Sequence, residues 1–416
     1  MKELRDYQVE LSAKANTILK QKKIVYLAME VRTGKTATAI NTAYLYGAKS
    51  VLFLTKKKAI SSIENDLIDF GFNELFDVFD VINDESIHKV TNSYDLVIHD
   101  EHHRFGAFPK INSTAKKYKE MFGQLPQIYL SGTPHPESYS QLFHQFHVSD
   151  YSPFPFKNFY AFAKSCVNIK DRHLAHAVVK DYSDGVASKI LPFVKDYFIT
   201  FTQNEAGFSS TINEHIIHCD MQEKTHRLIK RLINDRVIEG KDEVILADTA
   251  VKLQQKVHQL SSGTVIFESG NTKVIDPSKA IFIREYFRAY KIGIFYKFKT
   301  ELTALKEAYG DKLTTDLEEF NTTDKSIALQ IISGREGISL KMAEKLVYFN
   351  IDFSAVSYFQ SRDRLTTMER TTNDIYWVFS KGGIEEKIYQ AVMNKKDYTL
   401  NVFKKDYGIK ISNKNH

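Results

Sequence analysis

The sequence contains little cysteine and no long apolar run, and both shortages restrict the class of protein. Among its 416 residues there are only two cysteines, Cys166 and Cys219, which lie far apart and lack the spacing of metal ligands. A disulfide framework is therefore excluded, and a reducing environment is expected. No segment approaches the roughly 20 apolar residues of a membrane helix, and the first residues do not resemble a signal peptide. We therefore expect a cytoplasmic protein without a membrane partner.

Proline is also scarce, at 8 residues, and neither a low-complexity tract nor a repeat interrupts the chain. With 43% hydrophobic and 26% charged residues the composition is that of a globular protein, and the length is enough for two sizeable cores. The formal net charge of +6 permits a polyanionic partner. It does not require one, because a surplus of positive charge often reflects only solvated surface residues.

Short apolar runs alternate with segments of helical spacing in the first and last thirds of the chain. The runs are KIVYLAM, SVLFLT, YDLVIHD and QIYLSGT in the first third, and KIGIFYKF, SIALQIIS, EKLVYFN and DIYWVFS in the last. Continuous apolar strands alternating with helices indicate parallel sheets covered on both faces. From about 151 to 270 the pattern is mainly helical. The sequence thus predicts an α/β protein with one lobe at 1–150, a largely helical connecting region at 151–270 and a second lobe at 271–416.

A phosphate-binding loop is predicted after the first apolar run. Gly34, Lys35 and Thr36 end the pattern G-x-x-x-x-G-K-[ST], although Met29 stands where that pattern opens with glycine. At such a loop the helix N-terminus points its N–H groups at an anion. Lys35 would contact the β- and γ-phosphates and the Thr36 hydroxyl would coordinate Mg²⁺. The tripeptide alone is weak evidence, and a chance match is the alternative.

Polar residues follow two further apolar runs. Asp100 and Glu101 end one run, where an Mg²⁺-binding aspartate and a water-activating glutamate are expected. The alternative is that the two acids merely end a strand in a polar loop. The neighbouring histidines suggest zinc only weakly, because no fourth ligand has suitable spacing. Ser131-Gly132-Thr133-Pro134 ends the other run, and parallel sheets bind ligands at the edge where such residues lie.

Six segments, in order, resemble motifs Q, I, II, III, V and VI of superfamily 2 helicases: LRDYQ (4–8), AMEVRTGKT (28–36), DEHH (100–103), SGTP (131–134), SGREGISLKMAEKLVYFN (333–350) and YFQSRDR (358–364). GGIEEKIYQAVMNKK (382–396) is similar to the closing helix of Swi/Snf-type ATPases. That subgroup typically has A-D-E-M-G-L-G-K-T as motif I, without glycine where Met29 stands. The resemblance spans nearly the whole chain, is weakest from about 140 to 290, and implies two RecA-like lobes.

The resemblance implies a role for each matching residue. ATP would contact Arg5, Gln8, Arg32, Thr33, Gly34, Lys35, Thr36 and Gly337, with Gln8 at the adenine edge. Mg²⁺ would be held by Thr36 and Asp100, and catalysis would depend on Lys35, Glu101, Gln360 and Arg364. Ser131 and Thr133 would couple the nucleotide state to DNA, whose phosphates would contact Lys56, Lys57, Lys58 and Arg335.

Two positions depart from the family pattern. Motif VI usually has two arginines three residues apart, and the second position here is Thr367. Arg362 or Arg370 could substitute, or Arg364 could act alone. In motif V, Arg335 stands where glycine is common, so it is either a phosphate contact or a surface residue.

The expected activity is therefore that of a monomeric ATP- and Mg²⁺-dependent translocase on duplex or branched DNA, of bacterial or phage type, acting in replication, recombination or repair. The alternatives are a strand-separating DNA or RNA helicase, in which a hairpin in the middle region could separate the strands, and a nucleic-acid-binding scaffold without ATPase activity. A one-lobed phosphate-loop enzyme would leave the second lobe unexplained.

Overall fold

The computed structural model describes residues 2–396 except 136–137, 175–176, 209–210, 249, 332–338, 353–357, 359–360, 363 and 366–369. The chain divides into two compact units, Met1–Gly207 and Phe208–Lys396. No helix in the described part of the chain is both long enough and apolar enough to cross a bilayer.

The first unit is built on a parallel sheet with helices on both faces. Its strands are β1 (Ile24–Met29), β2 (Ser50–Thr55), β3 (Val78–Asn83), β4 (Leu96–His99), β5 (Gln127–Leu130), β6 (Lys170–Leu174), β7 (Ala177–Asp181) and β8 (Phe198–Phe201). Its helices are α1 (Asp6–Lys22), α2 (Lys35–Tyr46), α3 (Ile60–Asp69), α4 (Ser113–Phe122), α5 (Gln141–His147), α6 (Phe159–Cys166) and α7 (Ala187–Val194). The sheet order is β3-β2-β4-β5-β1-β8, and β6 and β7 form a separate antiparallel pair.

Strand β1 explains why the sheet is buried on both faces. All six of its residues are buried, and successive side chains point to opposite sides of the sheet. Ile24, Tyr26 and Ala28 pack into one hydrophobic core, whereas the alternate residues of the strand, beginning with Val25, pack into the other. A continuous apolar run is therefore what this position in the sheet requires.

The second unit repeats this architecture. Its strands are β9 (Thr211–Cys219), β10 (Val237–Glu239), β11 (Val244–Leu246), β12 (Thr264–Ile266), β13 (Thr272–Val274), β14 (Ile292–Tyr296), β15 (Leu313–Thr314), β16 (Ser326–Gln330), β17 (Lys345–Tyr348) and β18 (Thr372–Ser380). Its helices are α8 (Glu223–Asp235), α9 (Ala250–Ser261), α10 (Ser278–Tyr286), α11 (Lys299–Tyr309), α12 (Leu317–Thr322) and α13 (Glu385–Lys396). The order β15-β16-β14-β17-β18-β9 is parallel throughout.

The prediction of two RecA-like α/β lobes is confirmed, since each unit contains a six-stranded parallel sheet flanked by helices. All eight apolar runs contain strands. Between 151 and 270 the structure has helices α6 to α9, together with short antiparallel strand pairs and the edge strands β8 and β9, which complete the two sheets. The single tryptophan, Trp377, is fully buried in β18.

Candidate active site

The predicted residues of the first unit collect where its parallel strands end. The phosphate loop follows β1, Thr55 ends β2, Asp100 follows β4, and Ser131 follows β5. Because these strands are neighbours in a parallel sheet, their carboxyl ends lie at one edge. The Thr55 hydroxyl donates to Asp100 Oδ2 over 3.0 Å, which joins the ends of β2 and β4 directly.

Hydrogen bonds within the loop between β1 and α2, and one from Gln203, fix the shape of this loop. The Thr33 hydroxyl donates to the carbonyl oxygen of Glu30 over 2.7 Å, and Gln203 Nε2 donates to the carbonyl oxygen of Val31 over 3.0 Å. Arg32 and Gly34 have φ of 64° and 78°, the left-handed region that Gly34 adopts without steric cost. Helix α2 begins at Lys35 with neither a side-chain cap nor an acidic residue in its first turn. Its N-terminus is therefore suited to an anion.

Helix α1 brings Arg5 and Gln8 to this loop. Gln8 is buried, and its Nε2 donates to the carbonyl oxygen of Gly34 over 3.3 Å, while its Oε1 accepts from the Arg5 N–H over 2.8 Å. Tyr7 adds a second link, because its hydroxyl donates to the carbonyl oxygen of Thr33 over 3.2 Å. The structure therefore places the motif Q residues against the loop. The contact of Gln8 with adenine stays a prediction.

Lys35 extends from the start of α2 toward the loop that follows β5. A Cβ atom added at Gly132 would lie 3.6 Å from Lys35 Nζ and 3.5 Å from the carbonyl oxygen of Met29. The ammonium group thus lies beside the second residue of the Ser131–Pro134 loop, at the distance of an ordinary van der Waals contact with a Cβ there. Thr36 is partly buried one residue further along the helix.

The two carboxyl groups of the site have different protonation behaviour. Burial and the adjacent Glu101 raise the pKa of Asp100 to about 6, although Lys35 and the Thr55 hydroxyl act in the opposite direction. Burial also raises the pKa of Glu101, but His103 and Lys35 outweigh it and hold that pKa well below the usual range. Glu101 therefore remains ionised, whereas the pKa of Asp100 lies about one unit below neutral pH and would be lowered by a bound cation.

His103 connects this acidic pair to the Ser131–Pro134 loop. Its Nδ1 lies 3.2 Å from Glu101 Oε2 and 2.9 Å from Ser131 Oγ. Ser131 Oγ in turn accepts the Thr133 N–H over 3.1 Å. The Thr133 Oγ1 atom is buried without a hydrogen-bond partner among the described residues. The residues expected to couple nucleotide and DNA are therefore in contact with the acidic pair or close to it.

The other two histidines of this segment belong to the hydrophobic core. His99 Nδ1 lies 2.6 Å from His102 Nδ1, and the His102 ring stacks on Tyr129 with centroids 3.5 Å apart. Burial and His99 hold the pKa of His102 well below its ordinary value. The described residues contain no group of three or more potential metal ligands of the histidine, cysteine or acidic type.

The basic residues predicted to contact nucleic acid follow β2. Lys57 and Lys58 are exposed in a 3₁₀ turn, Lys57–Ala59, and Lys56 is half-buried before it. Lys56 also contributes to the low pKa of Glu101. The fourth such residue, Arg335, lies outside the described residues.

The motif V and VI residues are described only in part. Gly337 and Gln360 lie outside the described residues, whereas Arg364 is partly buried and its carbonyl oxygen accepts the Leu340 N–H over 3.1 Å. Arg362 lies over the Tyr358 ring, 5.6 Å from its centroid. Arg370 donates to the carbonyl oxygens of Lys341 and Ala343, so its side chain links its own backbone segment to the segment at 341–343.

Sequence reasoning missed Thr55, Tyr7 and Gln203 as parts of the site. Thr55 could have been found, because it ends an apolar run and so lies at the same sheet edge as Asp100. Gln203 could not, since it follows an edge strand, β8, that no pattern indicated.

Comparison with known proteins finds no matching family model and no matching curated protein. Among solved structures, the chain is similar to the Sulfolobus solfataricus SWI2/SNF2 ATPase core in complex with dsDNA, with 16% identity and a TM-score of 0.42. That match covers 98% of this chain and 94% of the other. The Sulfolobus solfataricus SWI2/SNF2 ATPase core domain gives 15% identity and a TM-score of 0.42, with 97% and 90% covered. At this identity the similarity is one of fold alone.

Proposed function

We propose that the protein is a nucleic-acid-dependent ATPase of the Swi/Snf type within superfamily 2, which moves along duplex or branched DNA. The observation that carries the proposal is the arrangement at one sheet edge of the first unit. There Lys35, the ionised Glu101 and Asp100, whose pKa is raised, lie beside a helix N-terminus that no side chain caps.

The donor set fits ATP with Mg²⁺. The N-terminus of α2 and Lys35 would hold the phosphates, and hydroxyl and carboxylate oxygens of Thr36 and Asp100 would hold the ion, which prefers oxygen ligands. When bound, Mg²⁺ would neutralise phosphate charge. Glu101, which its low pKa keeps ionised, would orient and polarise the attacking water molecule.

The nucleic-acid part of the proposal rests on the order of the six motifs and on exposed basic residues. Lys57 and Lys58 offer phosphate contacts that do not depend on base sequence. The proposed roles of Gly337, Arg335, Gln360 and Arg364 rest on the resemblance of motifs V and VI. Action in replication, recombination or repair belongs to the same proposal.

A strand-separating helicase is the second candidate, and the β6–β7 hairpin favours it. This antiparallel pair lies between α6 and α7, and Val178 and Val179 on it are exposed. A strand pair with exposed apolar side chains such as Val178 and Val179 could hold two strands apart. Deletion of 171–180 would then abolish unwinding of a forked duplex and change the rate of ATP hydrolysis by no more than about twofold. A translocase that does not separate strands would show no unwinding before or after the deletion.

The proposal is tested by ATP hydrolysis measured without nucleic acid and with single-stranded DNA, duplex DNA, a four-way junction or RNA. The wild type is compared with Glu101→Gln and with Glu64→Gln, an exposed carboxylate on α3 that serves as the matched control. We expect strong stimulation by duplex or junction DNA, lost in Glu101→Gln and kept in Glu64→Gln. Stimulation by RNA alone would favour an RNA helicase. Hydrolysis indifferent to every nucleic acid would refute the motor, and no hydrolysis at all would favour a scaffold.

A further inference from the structure

Gln145 on α5 lies where two segments of the candidate site meet the core. It is fully buried, and its side-chain Nε2 donates to the carbonyl oxygen of Pro134 over 2.7 Å. Its backbone carbonyl oxygen accepts from His102 Nε2 over 2.8 Å. Pro134 ends the Ser131–Pro134 loop, and His102 stands between Glu101 and His103. One residue therefore contacts both segments.

The hydrogen bonds of the Gln145 side chain use both ends of the amide. Its Oε1 accepts from the Tyr26 hydroxyl over 2.8 Å, and its Nε2 also donates to the carbonyl oxygen of Gln141 over 3.2 Å. A carboxylate could not donate to the two carbonyl oxygens, and an apolar side chain would take a partner from the buried Tyr26 hydroxyl and the buried Pro134 carbonyl oxygen. An amide of this length is thus what the position requires.

The 3₁₀ turn His102–Phe105 packs directly against this part of α5. At the end of the turn, a Cβ added to Gly106 would lie 2.8 Å from Gln141 Cβ and 3.0 Å from Gln145 Nε2. The absence of a side chain at Gly106 therefore lets the turn approach the helix closely. A displacement of α5 would be transmitted to the turn that follows Glu101.

We propose that Gln145 is a positioning residue that fixes the Asp100–His103 segment and the Ser131–Pro134 loop relative to each other. The proposal rests on the proposed ATPase function, because it assigns Gln145 a role in keeping Glu101 and Lys35 at a fixed position relative to each other. On one side it holds His102, next to Glu101. On the other it holds Pro134, two residues after the glycine that Lys35 Nζ approaches. Catalysis by aligned charges is sensitive to shifts of this kind.

Gln127 provides a matched control for the structural contribution of a buried amide. Like Gln145, it is fully buried in the first unit. Its Nε2 donates to the carbonyl oxygen of Phe122 over 2.8 Å, and its Oε1 accepts a hydrogen bond from the Tyr129 hydroxyl. Its partners belong to α4 and β5 rather than to the candidate site. Loss of either amide removes similar buried hydrogen bonds, but only Gln145 joins the two site segments.

The test compares Gln145→Met with Gln127→Met in the full chain. We expect kcat of the DNA-stimulated ATPase to fall at least about tenfold in Gln145→Met, with KM for ATP within about twofold. In Gln127→Met both constants stay within about twofold. Hydrogen exchange without nucleotide gives a readout independent of activity: amides of 131–135 should exchange faster in Gln145→Met and not in Gln127→Met.

The outcomes separate this inference from the proposed function. Equal kcat in the two variants, or equal exchange of 131–135, would overturn the positioning role while leaving the ATPase intact. A wild type without ATPase activity would overturn the proposed function, and the exchange comparison would then decide on the positioning contact alone. If Gln145→Met does not fold, Gln145→Asn replaces it, because this variant keeps an uncharged amide but is one methylene shorter and so loses the reach to the Pro134 carbonyl oxygen.

Discussion

Gln8 and Gly34 are packed so closely that a Cβ at Gly34 would lie 2.1 Å from Gln8 Nε2. The amide of Gln8 is buried and hydrogen-bonded at both ends, so it cannot move aside without losing those bonds. We therefore expect Gly34→Ala to displace the phosphate loop and to weaken ATP binding at least about tenfold. Titration with a fluorescent ATP analogue measures the effect.

Gly47→Ala is the control for backbone strain at Gly34. Gly47 ends α2 with φ of 91°, and a Cβ there would meet nothing within 4 Å. This variant therefore carries the left-handed penalty of about 1 kcal/mol or more without the collision. Its ATP affinity should match that of the wild type. Because Gln8 is itself expected to contact ATP, Gly34→Ala is also made in a Gln8→Ala background. There it should cost less affinity than in the wild type, and an equal cost would mean that strain rather than contact causes the loss.

Thr55 is expected to tune Mg²⁺ binding through Asp100. Its hydroxyl donates to Asp100 Oδ2 and lowers the pKa of that carboxyl, which burial and Glu101 otherwise raise to about 6. In Thr55→Val the pKa of Asp100 rises further, so more of the carboxyl is protonated at neutral pH. We expect the Mg²⁺ concentration for half-maximal ATPase activity to increase by about twofold, and this increase to shrink as pH is raised from 7 to 9.

Thr42→Val is the matched control, because Thr42 is equally buried and donates to the carbonyl oxygen of Thr38 within α2. It should leave the Mg²⁺ requirement unchanged. A pH-independent increase in Thr55→Val would indicate that the hydroxyl acts through geometry, and not through the charge of Asp100.

The central strands of each sheet were predictable because burial on both faces requires an apolar residue at every position. Strands such as IVYLAM are apolar at every position, which few other elements are. Edge strands do not share this signal. In β9 exposed and half-buried residues alternate, and in β3 all six residues are half-buried, so their sequences resemble loops or helix surfaces.

The candidate site was predictable as far as its residues follow strand ends. Lys35, Asp100, Glu101 and Ser131 each lie within six residues of a strand end, so the sheet rule places them together. Gln145 has no such marker. It lies on a short helix rich in phenylalanine, and its role depends on Tyr26, which is 119 residues earlier in the chain. Contacts of that range leave no local pattern in one sequence.

Lys57 and Lys58 are expected to contact nucleic-acid phosphates. Both are exposed in the turn that follows β2. The double variant Lys57→Ala/Lys58→Ala should weaken duplex binding and lower the slope of log K against log salt by about 1 to 2, since each phosphate contact on duplex DNA contributes about 0.9. Lys116→Ala/Lys117→Ala removes two exposed lysines of α4 and serves as control. Equal slopes for both pairs would indicate a solvated loop.

His258 should make the stability of the second unit depend on pH. It is buried in α9, its Nε2 lies 2.5 Å from Asn350 Oδ1, and burial together with Lys297 lowers its pKa to about 4. The unfolded imidazole takes up a proton below about pH 6.5, whereas the folded one does so only near pH 4. The contribution of neutral His258 is therefore complete above pH 6.5 and is lost as pH falls toward 4. At pH 5 the loss is on the order of 2 kcal/mol.

Trp377 makes this dependence measurable for the second unit alone. It is the only tryptophan in the sequence, is fully buried in β18, and stacks on Tyr348 with centroids 4.0 Å apart. Urea unfolding followed by its fluorescence should show that the stability difference between wild type and His258→Gln falls by about 2 kcal/mol from pH 7.5 to pH 5. His218→Gln, on the exposed side of β9, is the control for removal of a histidine. A difference that stays constant with pH would mean that His258 is protonated at the same pH in the folded and unfolded chains, so that burial does not hold it neutral.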